Sequence, residues 1–442
     1  MLFRDDSPND DTGLDTPDAL ARQTLALVLA GGRGSRLGNL TDGRAKPAVP
    51  FGGQFRIIDF ALSNAINSGI RRIGVLTQYK AQSLIRHLQT GFGFLDRRMG
   101  EFVEILPAQQ RLHASWYAGT ADAVFQNLNF IAYENPRFVL VLAGDHVYKM
   151  DYRKLLADHV AYDAEVTVAC IDAPVDEARA YGVMHVAADM RVVAFEEKPV
   201  LPKSIPGRPD TALASMGIYV FNTAYLRRVL AHDAQKTSSS HDFGSDVLPA
   251  LVRNDHRVFA HAFSKSCAGS RDRGRNGGPY WRDVGTIDAY WTANMELIQP
   301  HGMFEPFDPD WPIMSAPEHA PSARFITGDT GPVEITDSII GAGGSVCSAK
   351  IRRSVVFANV EIDDGSRIDE AVILPEVKIG RGSILRRVVI DKRCTLPPGF
   401  VAGVDSAFDR ERFHVTPGGI TLITQSMINR RSNGHAVRRE AA

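Results

Sequence analysis

Cysteine is scarce in this sequence, and its few residues are far apart. Only Cys170, Cys267, Cys347 and Cys394 occur, and no two of them form a C-x-x-C pair. This spacing excludes the common zinc and dithiol redox motifs. Scattered cysteines are typical of a reducing compartment, so we expect a cytoplasmic protein.

An excess of charge and a long apolar run are also missing. The 50 Lys and Arg residues nearly balance the 51 Asp and Glu residues, which leaves a formal net charge of -1. This balance offers no global attraction to nucleic acid or to an anionic membrane. No apolar stretch approaches the ~18 residues that a membrane span needs, and the acidic N-terminus has no signal-like apolar segment. We therefore expect no nucleic-acid partner and no membrane partner, and any anion site must be a local cluster.

Length and patterning indicate a globular protein with two domains. The chain has 442 residues, more than the ~250 to 300 at which a single core stops growing. A proline-rich stretch without periodicity separates two kinds of apolar pattern. We predict a flexible N-terminus over 1–20, a first domain over 21–305, a linker over 306–325, a second domain over 326–425 and a flexible basic tail over 426–442.

Short apolar runs alternate with amphipathic stretches in the first domain. The runs 25–30, 73–77 and 138–143 have the composition of buried strands. Before the last run, apolar residues recur at helical spacing after Thr120, which we expect to cap a helix that ends at Asn135. Strands that alternate with helices predict an α/β fold with a mostly parallel sheet.

Apolar residues recur every six positions in the second domain. A fixed period indicates a repeat architecture, and six residues per side suit a parallel β-helix whose coils share one apolar interior. Ordinary antiparallel strands are the alternative that the pattern leaves open. The predicted interior positions are Ile340, Val346, Val356, Ile362, Ile368, Leu374, Ile384, Ile390 and Leu396.

The strand 25–30 runs directly into a loop of glycines and arginines. Glycines let backbone N–H groups approach phosphates, and arginines add charge-assisted hydrogen bonds. The spacing is neither that of a P-loop nor that of a dinucleotide fingerprint. A plain glycine turn is the alternative, which the interleaved arginines disfavour. The predicted phosphate loop consists of Gly31, Gly32, Arg33 and Gly34, with Arg36 just beyond it.

A second basic cluster follows at Arg44, Lys46 and Arg56, on a segment broken by prolines and glycines. Such a cluster usually lies on a solvated face. Here the rigid surroundings favour an anion-binding loop instead. We expect these three residues to be regulatory and to bind a small anionic effector between the two domains.

Eight sequence blocks resemble those of bacterial ADP-glucose pyrophosphorylases, in the same order and over residues 25 to about 425. The resemblance implies a Rossmann-like nucleotidyltransferase domain followed by a left-handed parallel β-helix of hexapeptide repeats. It also implies a homotetramer under allosteric control that forms ADP-glucose and pyrophosphate from ATP and glucose 1-phosphate with Mg²⁺, the first committed step of glycogen biosynthesis. The blocks are LAGGRGSRL, RAKPAVPFGG, WYAGTADAV, LAGDHVYKMDY, FEEKP, ASMGIYVF, SSHDFGSDVLP and YWRDVGTIDAYW.

Two aspartates are the expected metal ligands. Asp145 follows the strand 138–143 directly, at the carboxyl edge of the sheet, where ligands bind in open α/β folds. A hard cation such as Mg²⁺ prefers carboxylate and phosphate oxygens. The resemblance implies that Asp145 and Asp283 hold this ion, and we expect Arg36 to steady the leaving pyrophosphate. Taken alone, either aspartate would be an ordinary cap or turn residue.

Six further residues are candidates for substrate binding. By resemblance, Lys198 binds the phosphate of glucose 1-phosphate, and Glu197 and Ser215 face the sugar. Gln78 and Tyr117 line the nucleotide side by the same resemblance, although Tyr117 could instead be an aromatic core residue. The full set is Lys198, Glu197, Ser215, Gly182, Tyr117 and Gln78.

Three other functions remain open from the sequence. Another sugar 1-phosphate nucleotidyltransferase, using UTP or dTTP, would share the phosphate loop. A hexapeptide acyltransferase commonly needs a coil histidine, and residues 331–410 contain none. A non-catalytic regulatory subunit would be expected to lose a metal ligand or the phosphate lysine, which are all present. Gly43 and Pro50 replace a lysine and a histidine of enteric relatives, in a segment linked to activator binding. The identity of the activator therefore stays open.

Overall fold

The computed structural model describes residues 16–32, 34–109, 116–269, 279–299, 304–317 and 319–429. Its N-terminal part is built around one large mixed sheet, and its C-terminal part around three further sheets. Among the described residues, no helix combines the length and the apolar composition needed to cross a membrane. The helices are α1 (Pro17–Arg22), α2 (Ile57–Asn67), α3 (Gln82–Gly91), α4 (Thr120–Phe125), α5 (Leu128–Glu134), α6 (Tyr152–Ala161), α7 (Val175–Ala178), α8 (Thr223–Asp233), α9 (Leu248–Arg253), α10 (Ile287–Glu296) and α11 (Ser406–Arg410).

The strands of the first domain supply the sheet that positions the site. They are β1 (Thr24–Leu29), β2 (Pro50–Phe51), β3 (Phe55–Arg56), β4 (Arg72–Thr77), β5 (Phe102–Pro107), β6 (Phe138–Ala143), β7 (His146–Tyr148), β8 (Val166–Pro174), β9 (Gly182–Val186), β10 (Val192–Glu197), β11 (Thr211–Asn222), β12 (Val258–Ala262) and β13 (Trp281–Asp283). The main sheet follows the order β10-β9-β11-β6-β1-β4-β5, and β8 and β12 extend it beside β11. Strands β6, β1, β4 and β5 are mutually parallel, which confirms the predicted α/β architecture, and β11 adds an antiparallel half.

Alternate residues of β1 face two different cores. Leu25 and Leu27 pack into the apolar cluster on one face of the sheet, whereas Ala26 and Val28 pack into the cluster on the other. A strand that is buried on both faces has a continuous apolar sequence rather than an alternating one. The run 25–30 was predictable for this reason, and the other two predicted strands are confirmed as β4 and β6.

The helix predicted after Thr120 is present but divided into α4 and α5. Gly119 is the N-cap of α4, and Thr120 is already helical. The Thr120 hydroxyl donates to Asp242 at 2.8 Å and accepts from the Phe243 N–H at 3.0 Å. The expected capping role of Thr120 is therefore wrong, because its side chain links two distant segments. Asn135 ends α5 with a φ of 41°, as expected.

The second domain is a stack of coils, each made of three short parallel strands. Ile351 pairs with Ile368, and Ile368 with Leu385, so one coil takes seventeen residues. Parallel pairing confirms the β-helix and rules out the antiparallel alternative, while its handedness stays a prediction. The strands are β14 (Arg324–Ile326), β15 (Glu334–Thr336), β16 (Ile339–Ile340), β17 (Ser345–Cys347), β18 (Lys350–Arg352), β19 (Val355–Val356), β20 (Glu361–Ile362), β21 (Arg367–Asp369), β22 (Val372–Ile373), β23 (Lys378–Ile379), β24 (Ile384–Arg386), β25 (Val388–Ile390), β26 (Thr395–Leu396), β27 (Val401–Ala402), β28 (His414–Val415) and β29 (Thr421–Ile423).

Two of the predicted interior positions of the β-helix are wrong. Ile384 is 39% exposed, and its neighbour Leu385, which is 1% exposed, packs inside the coil. Leu374 is buried against the first domain, and Ile373 takes the interior place. Three sides of six residues would need eighteen residues, but a coil has seventeen, so one side is a residue shorter than the other two. Positions predicted from a strict period of six are therefore displaced by one residue. Because neighbouring side chains on a strand point to opposite faces, a slip of one residue turns the side chain outward.

One face of the β-helix packs against the first domain. Val355, Val372 and Val389 are neighbours on adjacent strands of one sheet. They share an apolar cluster with Phe51 and Tyr290 of the first domain rather than with the coil interior. Both sides of this sheet are therefore apolar, and the shared core fixes how the two domains are oriented.

The domain limits differ slightly from the predicted ones. Leu20 in α1 is buried, so order begins within the predicted flexible N-terminus, and residues 1–15 lie outside the described part. The first strand of the β-helix, β14, begins two residues before the predicted start. Within the predicted linker, the Trp311 indole is buried and donates to the Asn64 side chain at 2.9 Å. Ile428 of the predicted tail packs against the coil, and residues 430–442 lie outside the described part.

A matched pair of substitutions tests the register of the β-helix. Leu385→Ala should destabilise the domain by roughly 2 to 5 kcal/mol, the usual result of removing a buried leucine side chain. Ile384→Ala, one residue away and half-exposed, should cost much less. Chemical denaturation of the two variants measures both changes. A larger loss for Ile384→Ala would contradict the observed register.

Candidate active site

The site lies at the carboxyl ends of three neighbouring parallel strands. The predicted phosphate loop follows β1, Gln78 follows β4 directly, and Asp145 follows β6 after one intervening residue. Because these strands are parallel, their ends meet at one edge of the sheet. A cavity of about 470 Å³ opens there. Among the residues that line it are Gly31, Gly32, Gly34, Arg36, Lys46, Gln78, Tyr117, Thr120, Asp145, Asp242 and Gly285.

The glycine loop has the backbone freedom that was predicted from its sequence. Gly34 has a φ of 65°, and a Cβ at this position would lie 2.8 Å from the Cβ of Lys46. Only glycine therefore fits between the loop and Lys46. Gly31 passes close to Gln78, where a Cβ would lie 3.3 Å from the Gln78 Cβ. Arg33 lies outside the described residues.

Lys46 joins the two aspartates that were predicted to hold a metal ion. Its ammonium donates to Asp145 Oδ2 at 3.0 Å and to Asp283 Oδ1 at 2.6 Å. Arg36 Nη2 adds a third cationic contact, 3.4 Å from Asp283 Oδ2. The Lys46 side chain is only 5% exposed. Three segments that are far apart in sequence therefore meet at one charged cluster.

A small hairpin brings Asp283 to Asp145. Strand β13 pairs antiparallel with β7, and Asp283 stands opposite His146, the residue after Asp145. One oxygen or nitrogen atom from each of Asp145, His146 and Asp283 lies within 4.8 Å of the others. The predicted proximity of the two aspartates is therefore present, and His146 is an additional neighbour that the sequence pattern did not reveal.

Both carboxyl groups of the cluster are held in their charged form. Burial alone would raise the pKa of Asp145, but the charges of Lys46 and His146 and the Lys46 hydrogen bond bring it well below the usual range. The pKa of Asp283 is lowered for the same reasons, against burial and against the charge of Asp145. Burial would lower the pKa of Lys46, yet the two aspartates raise it above its ordinary value. The cluster therefore stays fully ionised at neutral pH.

The donor set fits a hard divalent cation. Carboxylate oxygens are what Mg²⁺ prefers, and it commonly takes one or two of them together with phosphate oxygens and water. Asp145 is 35% exposed towards the cavity, so one of its oxygens is open to an incoming ion. Such an ion would share the two carboxylates with the ammonium of Lys46.

The residues predicted on the sugar side form a neighbouring group on β9, β10 and β11. Gly182 stands opposite Glu197 in the β9–β10 hairpin, and Lys198 follows with a φ of 46° and its ammonium 2.9 Å from Glu197 Oε1. Ser215 lies at the start of an irregularity in β11, two residues before Gly217. A Cβ on Gly217 would lie 3.3 Å from Ala143, the last residue of β6.

An aromatic chain connects this group to the charged cluster. The Lys198 N–H donates to the Tyr181 carbonyl at 3.0 Å. The Tyr181 ring lies edge-on to Trp281, with centroids 5.1 Å apart, and Trp281 in turn lies edge-on to His146 at 4.9 Å. The predicted sugar residues are therefore separate from the cavity lining, and Tyr181 and Trp281 link them to His146 beside Asp145 and Asp283.

The three basic residues predicted to be regulatory do not stay together. Lys46 lies in the charged cluster, so the predicted grouping is wrong, because two partly buried carboxylates attract its ammonium. Arg44, two residues earlier, is 3% exposed and pairs through Nη2 with Asp391 of the β-helix at 2.6 Å. Arg56 donates to the Ser83 carbonyl at 2.8 Å. Arg44 thus lies at the domain boundary, as expected.

Comparison with known proteins agrees with this geometry. Residues 25–300 match the nucleotidyl transferase family, and residues 321–423 match a family described as GlmU-like, C-terminal hexapeptide. A glucose-1-phosphate adenylyltransferase of Nitrosospira multiformis is 54% identical over 413 residues, covering 93% of this chain and 96% of the relative. The chain belongs to the glucose-1-phosphate adenylyltransferase family. Another such enzyme, from Dechloromonas aromatica, is 54% identical over 411 residues and 92% of each chain.

Membership of the glucose-1-phosphate adenylyltransferase family confirms the resemblance and, apart from the handedness of the β-helix, the fold that it implied. A third relative, "Glucose-1-phosphate adenylyltransferase 2" of Alkalilimnicola ehrlichii, is 55% identical over 410 residues, 92% of this chain and 95% of its own. All three alignments span both domains. The relatives are named for nucleotidyl transfer, which counts against the acyltransferase alternative.

Lys46→Met should destabilise the protein in a pH-dependent way. The lowered carboxyl pKa values keep both aspartates charged in the parent from pH 8 to 5, above the ordinary carboxyl pKa of about 4. Without Lys46, burial and the mutual repulsion of the two carboxylates should raise these pKa values. Protonation at lower pH should then remove part of this repulsion and reduce the loss of stability in the variant. We expect a loss of roughly 2 kcal/mol or more at pH 8, discounted for the partial exposure of Asp145, and a smaller loss at pH 5.

Denaturation at pH 5, 6, 7 and 8 measures the difference in free energy of unfolding between the parent and Lys46→Met. Lys350→Met is the matched control, since Lys350 is 61% exposed and pairs with an exposed Glu334. If this difference in free energy of unfolding is the same at all four pH values, Lys46 does not neutralise these carboxylates.

Proposed function

We propose that the protein transfers the adenylyl group of ATP to α-D-glucose 1-phosphate and releases pyrophosphate, the reaction after which its relatives are named. The observation that carries this proposal is the charged cluster of Lys46, Asp145 and Asp283 at the wall of a cavity that also contains the glycine loop. Phosphate-binding backbone, a phosphate-attracting lysine and cation-binding carboxylates are the parts that nucleotidyl transfer needs.

ATP is placed by the cavity residues. The backbone of Gly31, Gly32 and Gly34 approaches the phosphates, and Arg36, whose side chain is 60% exposed, reaches the departing pyrophosphate. Gln78 and Tyr117 line the same cavity and border the nucleoside. The Gln78 amide and the Tyr117 carbonyl lie 3.5 Å apart, so the two residues form one wall.

Glucose 1-phosphate enters from the β9–β11 side. Lys198 provides a charge for its phosphate, while Glu197 and Ser215 provide acceptors and a hydroxyl for the sugar. The Lys198 side chain is 62% exposed, so it can turn from Glu197 to a phosphate. Gly182 leaves room beside Glu197, because a Cβ there would lie 2.9 Å from Glu197 Oε2.

The reaction needs no protein base. The nucleophile is a phosphate oxygen whose second pKa is about 6, so it is largely ionised at neutral pH. Catalysis is then positioning and neutralisation of negative charge. We assign Lys46 to the transferring phosphate, since its ammonium lines the cavity between the two carboxylates. Asp145 and Asp283 would hold Mg²⁺, which supplies Lewis-acid stabilisation of phosphate charge when it is bound.

Measurement of pyrophosphate release tests the substrate pair. ATP, UTP, dTTP, GTP and CTP are each combined with several sugar 1-phosphates, and kcat/KM is compared. ATP with glucose 1-phosphate should give the highest value. A higher value for UTP or dTTP with saturating glucose 1-phosphate would leave the reaction class intact but refute the proposed substrates.

The same assay tests the metal site through a Mg²⁺ titration. Asp145→Asn and Asp283→Asn should each lower kcat by roughly 10³-fold. The double variant should lose far less than the product of both losses, because the two residues act through one ion. Asp176→Asn is the control, since Asp176 is 93% exposed. Multiplicative losses would show that the aspartates do not share a catalytic ion.

A small anionic effector is proposed to bind at the domain boundary beside Arg44. Among the described residues, Nε and Nη1 of Arg44 are buried without a hydrogen-bond partner, although Nη2 is paired. Burial and the nearby charges of Arg44 and Arg393, and more weakly Arg56, lower the pKa of Lys392. Four basic side chains thus converge where the two domains meet, and an anion would relieve their repulsion.

The effector site can be tested without changing the active site. Phosphorylated sugars and small carboxylates are screened for activation, and the half-activating concentration is measured for Lys392→Gln. This concentration should rise at least tenfold while the basal rate stays near that of the parent. Lys378→Gln, on the same β-helix and paired with Glu361, is the matched control. An equal fall in basal and activated rates would indicate a folding role instead.

The homotetramer implied by resemblance remains part of this proposal. Apolar side chains that are exposed on the β-helix support association through this domain. They are Phe325, Ile326, Ile384, Val401 and Val404.

A further inference from the structure

The protein's own side chains balance the charge of the cluster in the candidate active site. Lys46 and Arg36 supply two positive charges, and Asp145 and Asp283 supply two negative charges. His146, whose Nε2 lies 3.5 Å from Asp145 Oδ1, adds no negative charge. Among the described residues, the cluster therefore has no excess negative charge with which to attract a divalent cation.

Three of the four carboxylate oxygens of the two aspartates already face a cation. Lys46 donates to Asp145 Oδ2 at 3.0 Å and to Asp283 Oδ1 at 2.6 Å, and Arg36 Nη2 lies 3.4 Å from Asp283 Oδ2. Carboxylate oxygens are also what Mg²⁺ prefers. A divalent ion that binds both aspartates would therefore compete with these two basic side chains for the same atoms.

The two basic side chains differ in how firmly they are held. Lys46 begins the helical turn Lys46–Ala48 and is 5% exposed. Its Cβ packs so closely against Gly34 that a Cβ there would lie 2.8 Å away. The Arg36 side chain is 60% exposed, and such a surface contact is weak and easily exchanged. Lys46 is therefore the cation that persistently opposes a metal ion.

A further carboxylate of the cavity lining, Asp242, does not offset this positive charge at the cluster. It accepts hydrogen bonds from the Thr120 hydroxyl and from two backbone N–H groups. It is not part of the group whose ligand atoms lie within 4.8 Å of one another, which is Asp145, His146 and Asp283. The phosphates of a nucleotide would bring the missing negative charge to the cavity.

We propose that Lys46 keeps a divalent cation off Asp145 and Asp283 until a nucleoside triphosphate is bound. This inference rests on the proposed function, in which that nucleotide is ATP. The phosphates pair with Lys46 and Arg36, and this pairing frees carboxylate oxygens for the ion. Ion and nucleotide then raise each other's affinity by the same factor. Without Lys46, the two aspartates should become a metal site that needs no nucleotide.

Mn²⁺ titrations of the full-length protein test this proposal, with water-proton relaxation as the readout, because protein-bound Mn²⁺ enhances relaxation more than free Mn²⁺. Lys46→Met should bind Mn²⁺ alone roughly tenfold or more tightly than the parent, since a charge in contact with both carboxylates is removed. Arg36→Met should give a smaller gain. Lys350→Met, at an exposed pair with Glu334, is the matched control.

A nucleotide arm completes the experiment. In the parent, enhancement should appear when Mn²⁺ and α,β-methylene ATP, which cannot release pyrophosphate, are added together, and should be small with Mn²⁺ alone. Mn²⁺ should also raise the melting temperature of Lys46→Met more than that of the parent, because it binds the folded variant.

The outcomes separate this proposal from the proposed reaction. Near-ultraviolet circular dichroism at pH 7 first establishes that each variant is folded, and Lys46→Gln replaces Lys46→Met if that variant is not. Equal Mn²⁺ affinity of the parent and the Lys46 variant, or a gain that Lys46→Met with Asp283→Asn retains, would overturn the proposal. The titration without nucleotide measures no turnover, so its result holds even if the proposed substrates are wrong. Absence of enhancement with the ATP analogue alone would refute ATP as the nucleotide.

Discussion

The contact of Lys46 with Asp145 and Asp283 is the interaction on which the site depends. Two partly buried carboxylates that lie side by side repel each other, and without a cation between them their pKa values would rise and favour protonation. The ammonium of Lys46 removes this repulsion and keeps both charged. It also ties the segment after the glycine loop to the β7–β13 hairpin. One lysine thus supports both the local fold and the electrostatics that phosphate chemistry needs.

The same segments extend from the cluster to the β-helix. Arg44, two residues before Lys46, pairs with Asp391. Helix α10, which begins four residues after Asp283, shares an apolar cluster with the β-helix. The Trp291 indole of α10 donates to the Glu370 carbonyl at 2.8 Å. Both ends of the charged cluster are therefore attached to the second domain. A shift of the β-helix would therefore move Lys46 and Asp283, and the proposed effector would have a physical route to the reaction.

Much of the architecture could be predicted because its signals are local. The strand β1 is buried on both faces, so its sequence is apolar throughout, and the glycine loop needs residues without a Cβ at Gly34. The six-residue period predicted a β-helix. The assignment of Ile384 to its interior failed, since the period alone does not show which side of a coil is one residue shorter.

The sequence by itself determined the two-domain organisation, the strands of the parallel half of the sheet, the repeat and the glycine loop. Each of these depends on residues within a few positions of one another. Only the tertiary structure decided the partners of Lys46 and the place of His146 beside Asp283. Lys46 lies 99 positions from Asp145 and 237 from Asp283. Attraction between charges acts through space, so a basic residue among prolines gives no local sign of which carboxylates the fold will bring to it.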